Sequence, residues 1–265
     1  KFPHVTVAVD KNRHNGINKL TEGEAGKKID VVLLDDAFQH RYVKPGINIL
    51  LVDYHRLIIY DKLLPAGRLR EPLSGKDRAD IVIVTKCPRD LKPMEFRVIT
   101  KAMCLYPYQH LYFTMLDYDA LRPIYCGEER PLDTISADDH ILLLTGIASP
   151  RQMIVDLSPY STHIQPLTFG DHHTFTARDV EKINETFADM PGPKLIITTE
   201  KDATRLFGLK GLSKEVRHNI YTLPVKIEFM LGQEETFNEN IIGYVRKNSR
   251  NSILVKAKDD NKSKD

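Results

Sequence analysis

The sequence predicts an α/β protein of two units, each built on a mostly parallel sheet. Three observations lead there. Short β-branched or aliphatic runs recur along the chain, helical patterns lie between some of them, and a stretch of different character, 111–139, divides the runs into two groups. The runs are Val5–Val9, Val31–Leu34, Ile47–Val52, Ile81–Thr85, Ile141–Leu144 and Leu195–Thr198. Near-continuous apolar runs of this length fit strands covered on both faces, as parallel strands are. Each fully buried Val, Ile or Leu contributes ~1.5–3 kcal/mol, so these runs are the expected cores.

The clearest helices are Arg151–Leu157 and Ala177–Met190. In the second, Val180, Ile183 and Phe187 share one face, and Thr176 is a candidate N-cap with Asp179 three residues on. The stretch 111–139 carries Pro123, Gly127, Pro131 and polar clusters, which suits a hairpin-like linker. The expected division is therefore a first domain over 1–110, a linker over 111–139 and a second α/β domain over 140–253. The tail 254–265 is charged and without apolar periodicity, so disorder is expected there.

Composition excludes several classes. Lys and Arg number 38 against 36 Asp and Glu, and a net charge of +2 gives no global field for nucleic acid. Cys87, Cys104 and Cys126 show no CxxC spacing, which favours a reducing compartment over a disulfide framework or a zinc site. No apolar stretch approaches the ~20 residues that span a bilayer. The chain starts at Lys1 rather than Met and runs almost at once into an apolar run, so a truncated chain is expected, with a processed N-terminus as the plainer alternative.

Four strings could carry chemistry. "DVVLLDDAFQHR" delivers Asp35 and Asp36 to the end of an apolar run, where ligands of open α/β sheets bind. Adjacent carboxylates repel, and a cation or hydrogen-bond donors relieve the cost; a solvated turn is the plainer alternative. "LLVDYHRLIIYDKLLPAGRLREP" places Asp53 at the next strand end and continues through Gly67, which permits close backbone approach or positive φ, to Arg68, Arg70 and Glu71. "TFGDHHTFTARD" sets Asp171, His172 and His173 before a helix start, where imidazoles suited to proton transfer meet an anion-favouring terminus. "IITTEKDATRL" ends a strand at Thr198–Asp202, where Lys201 could meet a phosphate, or where an ordinary helix begins with an acidic first turn. A GxxxxGK[ST] phosphate loop is absent: Gly26-Lys27 and Gly75-Lys76 lack its other members, and "VTKCP" at Val84–Pro88 has Pro88 where a guanine-reading loop needs Asp.

Together the strings resemble the tetraacyldisaccharide 4'-kinase family, the lipid A kinases of Gram-negative envelopes. The family pattern runs DDGLQH or DDGFQH, VVD, LLPAGPLREP, DHH and TEKDA. This chain reads DDAFQH, LVD, LLPAGRLREP, DHH and TEKDA in that order, from about Phe2 to the end of the second domain. The resemblance implies a P-loop-kinase-like, mostly parallel sheet whose N-terminal part is missing here, plus a smaller α/β domain joined by a hairpin-like hinge. It implies transfer of the γ-phosphate of ATP to the 4'-hydroxyl of a tetraacyldisaccharide 1-phosphate, with Mg2+, in lipid A biosynthesis. It also implies a peripheral enzyme on the cytoplasmic face of the inner membrane, with the lipid A disaccharide precursor and the membrane surface as partners. The oligomeric state is left open.

Carried over by motif, Asp35 and Asp36 fall on metal- and phosphate-side carboxylates with catalytic standing, and Glu71 on a position near metal and substrate. Gln39 faces the lipid disaccharide, and His172 partners the catalytic aspartate. Arg13, in "AVDKNRHN", corresponds to a substrate-contacting Arg. His172 would complete the site when the hinge closes. The family's phosphate loop and its GDE motif, which holds the general base, lie upstream of these residues, so these 265 residues alone are expected to be inactive. The FGNG segment reads "IIYD" here, and Ala37 in place of Gly implies a negative or mildly strained φ. Two other readings stand beside this one: a metal-dependent phosphoesterase built on Asp35, Asp36, His172 and His173, and a non-catalytic binding protein.

Overall fold

The structure, a computed structural model, describes residues 4–22, 29–146, 151–170 and 173–262, the side chains of 22 and 249–262 excepted. The chain forms two compact units, one of residues 1–115 with 228–265 and one of residues 116–227.

The first unit has a four-stranded sheet in the order β1-β2-β3-β9, made of β1 (Ile49–Asp53), β2 (Ile81–Thr85), β3 (His110–Tyr118) and β9 (Val225–Phe229). β1, β2 and β3 are parallel, with Leu51 opposite Ile83 and Ile83 opposite Tyr112. Side chains alternate across these strands. Val52, Val82, Val84 and Phe113 pack on one face with Ile99 and Met103 of helix α2 (Pro93–Met103). Ile81, Ile83 and Tyr112 pack on the other with Phe229, Phe237 and Ile241. The last two belong to helix α7 (Glu234–Lys262), whose Asn240 donates to the Tyr112 hydroxyl at 2.6 Å. Helix α2 begins with Pro93 at its first turn and the Glu95 carboxylate accepting the Lys92 N–H at 2.9 Å, a capping-box half that fixes the start of the helix.

The second unit has a five-stranded sheet in the order β4-β8-β7-β5-β6. These are β4 (Arg122–Pro123), β5 (His140–Thr145), β6 (His163–Thr168), β7 (Lys194–Thr199) and β8 (Ile220–Leu223); all pair in parallel except β4, which is antiparallel to β8. The period-two rule explains its two cores. Leu142, Leu144 and Ile196 join Val180, Ile183 and Phe187 of helix α4 (Ala177–Asp189) on one face. Ile141, Leu143, Leu195 and Ile197 join Met153 and Leu157 of helix α3 (Arg151–Leu157) on the other. Thr176 caps α4 through the Asp179 N–H, with Asp179 returning a bond to the Thr176 N–H, as its spacing predicts.

Two predicted strands are absent. Residues 5–9 and 31–34 form no strand and pair with none among the described residues, and Val9 and Leu33 are 98% and 91% exposed. An apolar run becomes a strand only when a neighbour satisfies its N–H and C=O groups. The third predicted run forms a strand two residues later than expected, at β1. The boundary drawn from composition placed 140–253 in the second domain, whereas the chain re-enters the first unit at Glu228 through β9. The reason is the Phe229–Phe237–Tyr112 aromatic cluster, with centroids 4.7–6.0 Å apart, a long-range contact with no local sequence signal. Within 111–139 lie β3, β4 and an antiparallel Leu121–Arg130 bridge. Helix α7 carries the backbone through Lys262, where disorder was expected for 254–265; Leu, Ala and Lys in that segment are good helix formers.

Two measurements follow. The Asp179 carboxyl is held down at about 2 by the Thr176 N–H, then by His173 and the Thr176 hydroxyl. A carboxyl lowered by folding stabilises the fold above its unfolded value of 3.8 and loses that contribution as pH falls towards 2. Thr176→Ala is expected to cost ~1 kcal/mol in urea unfolding at pH 7 and to flatten that acid limb. Burial pushes the Cys87 thiol up to about 11, while Cys104 and Cys126 are exposed. A thiol reagent under native conditions should label those two quickly and Cys87 only on unfolding.

Candidate active site

After the segment 29–34, which has no regular structure, the chain turns at Asp35 and Asp36, both exposed. Asp36 takes the left-handed conformation, φ 47°, which Asp tolerates better than most residues. Ala37 keeps a negative φ, as its replacement of Gly implies, and its carbonyl accepts the His40 N–H at 2.8 Å. Neither Asp35 nor Asp36 makes an ion pair among the described residues, so both carboxylates face solvent uncommitted. Gln39 is exposed beside them. Arg13, at the start of helix α1 (Arg13–Glu22), is half-buried and spends one guanidinium arm on the Asp10 carbonyl at 2.8 Å.

Glu71 is the anchor of this region. Arg78 donates to Oε1 at 2.9 Å and Oε2 at 3.0 Å, and Arg41 donates to Oε2 at 3.1 Å. The Arg78 bonds, with a smaller contribution from Arg41, hold the Glu71 carboxyl below its ordinary range against the opposing effect of burial. Arg78 also donates to the Phe38 carbonyl at 3.3 Å and lies over the Phe38 ring at 4.7 Å. One guanidinium thus joins the REP string to the DDAFQHR string. Gly75 leaves the space Glu71 occupies, since a Cβ there would come within 2.7 Å of the Glu71 carboxyl carbon. The 3₁₀ turn that carries Arg78 (Leu73–Arg78) is tethered in turn by buried Gln109, which donates to the Lys76 and Ala79 carbonyls at 2.9 and 2.7 Å.

At the neighbouring strand tips Lys86 donates to Asp53 Oδ2 at 2.6 Å, joining the ends of β1 and β2. Burial raises the Asp53 carboxyl, but the Lys86 bond and the His55 N–H outweigh it and leave a net lowering. Lys86 sits at φ 57°, a strained position for a side-chain-bearing residue. Gly67 of LLPAG serves close approach rather than positive φ: a Cβ there would collide with the Lys62 carbonyl and the Asp61 carboxylate.

In the second unit Asp171 and His172 lie outside the described residues. His173 is committed locally, with Nε2 2.9 Å from Asp179 Oδ2 and its ring stacked on Phe169 at 5.0 Å. The Asp of TEKDA, Asp202, is fully buried in helix α5 (Glu200–Leu206). It accepts the Gly146 N–H at 2.9 Å and the Thr199 hydroxyl at 2.8 Å, and pairs with Arg205 at 3.3 Å. It therefore ties the end of β5 to the end of β7. Among the described residues no group of three or more His, Cys, Asp or Glu side chains converges to hold a metal.

These placements alter the sequence reading in particular ways. Glu71, expected near metal and substrate, has both oxygens occupied by arginines. His173, one of the four residues of the phosphoesterase alternative, is a helix-start anchor, and that alternative has no support. Sequence reasoning passed over Arg41 and Arg78. Arg41 ends the quoted string and could have been paired with Glu71 by charge; Arg78 sits in no motif. Lys86 was set aside with the guanine-loop match.

A parallel α/β fold with two uncommitted carboxylates on a loop, joined through Arg78 and Glu71 to a cation-rich string, is an arrangement suited to phosphoryl transfer. The family description Tetraacyldisaccharide-1-P 4'-kinase matches residues 1–246. The chain belongs to that family. It is 57% identical over 254 residues to a tetraacyldisaccharide 4'-kinase of Phocaeicola vulgatus, covering 95% of this chain and 69% of that protein. It is 53% identical over 262 residues to one from Bacteroides thetaiotaomicron, covering 95% and 68%. Among solved structures it is similar in fold to LpxK from Aquifex aeolicus in complex with ATP, with a TM-score of 0.60 and 24% identity. That likeness covers 92% of this chain and 65% of that one.

The Arg78 junction is testable by itself. Arg78→Gln is expected to cost ~1.5–3 kcal/mol at pH 7, the range for hydrogen bonds to a charged group. Because Glu71 is lowered by folding, the contribution is present above its unfolded value of 4.5 and lost as pH falls below it. Urea unfolding of both proteins at pH 7 and in acid should show the difference shrink.

Proposed function

We propose that this chain serves the transfer of the γ-phosphate of ATP to the 4'-hydroxyl of a tetraacyldisaccharide 1-phosphate in lipid A biosynthesis. The observation that carries the reading is the family match over residues 1–246, joined to 57% identity with a protein of that name. In this transfer the hydroxyl oxygen bonds to the γ-phosphorus, the bond to the ADP oxygen breaks, and the hydroxyl proton passes to a base. ATP as donor is supported by the nucleotide held in the structurally similar Aquifex protein.

Magnesium fits Asp35 and Asp36. It is commonly held by one or two carboxylates together with waters and substrate phosphates, and these two carboxylates are exposed and unpaired. When bound, the ion neutralises charge developing on the phosphates. Glu71 contributes differently: it keeps Arg41 and Arg78 in place and so fixes the turn that presents both aspartates. Gln39, exposed next to that turn, and Arg13 serve the disaccharide. His172 orients the base that takes the hydroxyl proton. The lipid A disaccharide precursor is the lipid partner, and the work is done at the membrane surface, on the cytoplasmic face of the inner membrane. No helix among the described residues is long and apolar enough to cross a bilayer, which suits peripheral attachment.

The test is phosphate transfer from ATP to the lipid disaccharide by the full gene product, in detergent. Activity is expected, and its absence at saturating magnesium would sink the reading. Asp36→Asn should raise the magnesium concentration needed for half-maximal rate and lower kcat by roughly 10²-fold or more, the scale of losing one aligned electrostatic group. His172→Ala should lower kcat while leaving KM for ATP nearly unchanged.

A further inference from the structure

We propose that the loop Asp61–Leu69, together with the cavity beside it, is an anionic-membrane docking surface. The proposal rests on the reading of the chain as a lipid-modifying enzyme and gives the membrane surface a location in the first unit. The loop tip is apolar and turned outward: Leu63 and Leu64 are 44% and 61% exposed, and Pro65 and Ala66 are exposed with them. Tyr60, at the base of the loop, is 70% exposed. It lines a cavity of ≈ 750 Å³ whose apolar wall includes Leu57 and Val98, the latter half-exposed on α2.

An apolar tip enters a membrane interface at low cost only if its backbone is already satisfied. This loop meets much of that condition, with only the Leu63 and Ala66 N–H groups lacking a protein partner among the described residues. The Leu64 N–H donates to the Leu69 carbonyl, the Gly67 N–H to the Leu63 carbonyl and the Leu69 N–H to the Lys62 carbonyl, each at 3.0 Å. Asp61 Oδ1 accepts the Lys62 and Arg68 N–H groups at 2.8 and 3.1 Å, and Pro65 has no N–H to satisfy. The tip is thus a closed, pre-formed apolar projection.

Charge selects the partner. From Tyr54 to Arg70 the chain carries Arg56, Lys62, Arg68 and Arg70 against a single acid, Asp61. Asp61 is already engaged by the two backbone N–H groups and by Arg56 at 3.6 Å. Lys62, Arg68 and Arg70 have no ion-pair partner among the described residues. The other acid on the cavity wall, Glu95, is held by the Lys92 N–H and stands 3.4 Å from the Tyr54 hydroxyl. Unpaired cations flanking an exposed apolar tip match a leaflet of anionic phospholipid: aliphatic side chains enter among the acyl chains while Lys and Arg stay with the phosphates.

The protein has no Trp, so a single inserted indole reports on its own surroundings. Leu64→Trp places one at the tip, and Phe207→Trp places one at a 70% exposed position in the second unit. Both are mixed with vesicles of phosphatidylcholine alone or with phosphatidylglycerol, without nucleotide or lipid A precursor. The expected result is a blue shift of the Leu64→Trp emission on phosphatidylglycerol vesicles and quenching by brominated acyl chains, with Phe207→Trp unmoved. Adding Lys62→Gln and Arg68→Gln should lower vesicle affinity roughly tenfold or more, and raised salt should weaken it. An unshifted Leu64→Trp emission overturns the proposal, as does an equal shift from both reporters or insertion only into micelles of the disaccharide substrate. These outcomes are independent of the detergent phosphotransfer assay, so loss of the docking surface and loss of the kinase reading are read separately.

Discussion

The Glu71 carboxylate between Arg78 and Arg41 is the interaction on which the first unit's functional surface depends. A partly buried carboxylate is stable only when donors take up its charge, and here two guanidiniums do so. The same contact brings together segments thirty residues apart. Arg41 and Phe38 belong to the turn that presents Asp35 and Asp36, while Glu71 closes the LLPAG string. Arg78 stands on a turn fixed by Gln109, so the geometry of the aspartate turn is traced back to a buried amide at the start of β3. The arrangement leaves Asp35 and Asp36 without ion-pair partners among the described residues, the condition on which the proposed magnesium site rests.

The second unit solves a similar problem by burial. Asp202 is fully enclosed, yet its oxygens meet a backbone N–H, a hydroxyl and a guanidinium. A buried charge so satisfied fixes the relative position of the loops it joins. Those loops lie at the carboxyl ends of β5 and β7, the edge of a parallel sheet where ligands are met. The DHH string follows the strand next to them, and its second histidine is spent on holding the start of α4. The TEKDA string does begin a helix with an acidic first turn, capped by Thr199, and Asp202 within that turn looks inward and works as a clasp.

The solvent-facing side of the LLPAG string has a different character from its REP end. The motif joins an anchored carboxylate at one end to an exposed aliphatic tip at the other, with three unpaired cations between and around them. A single short segment thus holds the carboxylate that orders the aspartate turn and, at its other end, the apolar tip proposed above to meet the membrane. Three backbone bonds close the loop on itself, which lowers the tip's need for water.

Much of this was legible in the chain. Apolar runs gave β2, β5 and β7 nearly residue for residue, the Thr176–Asp179 spacing gave the cap of α4, and the order of five motifs gave the family. These features are local: a strand's period, a cap's spacing and a motif's string depend on neighbours in sequence. The tertiary structure decided what depends on neighbours in space. It left Val5–Val9 and Val31–Leu34 outside any sheet because a run without a ladder partner is not a strand. It returned β9 and α7 to the first unit because three aromatic rings meet there, and it gave Glu71 two arginines rather than a free face. Charge pairing and burial are set by which segments come together, and the order of residues along a chain does not state that.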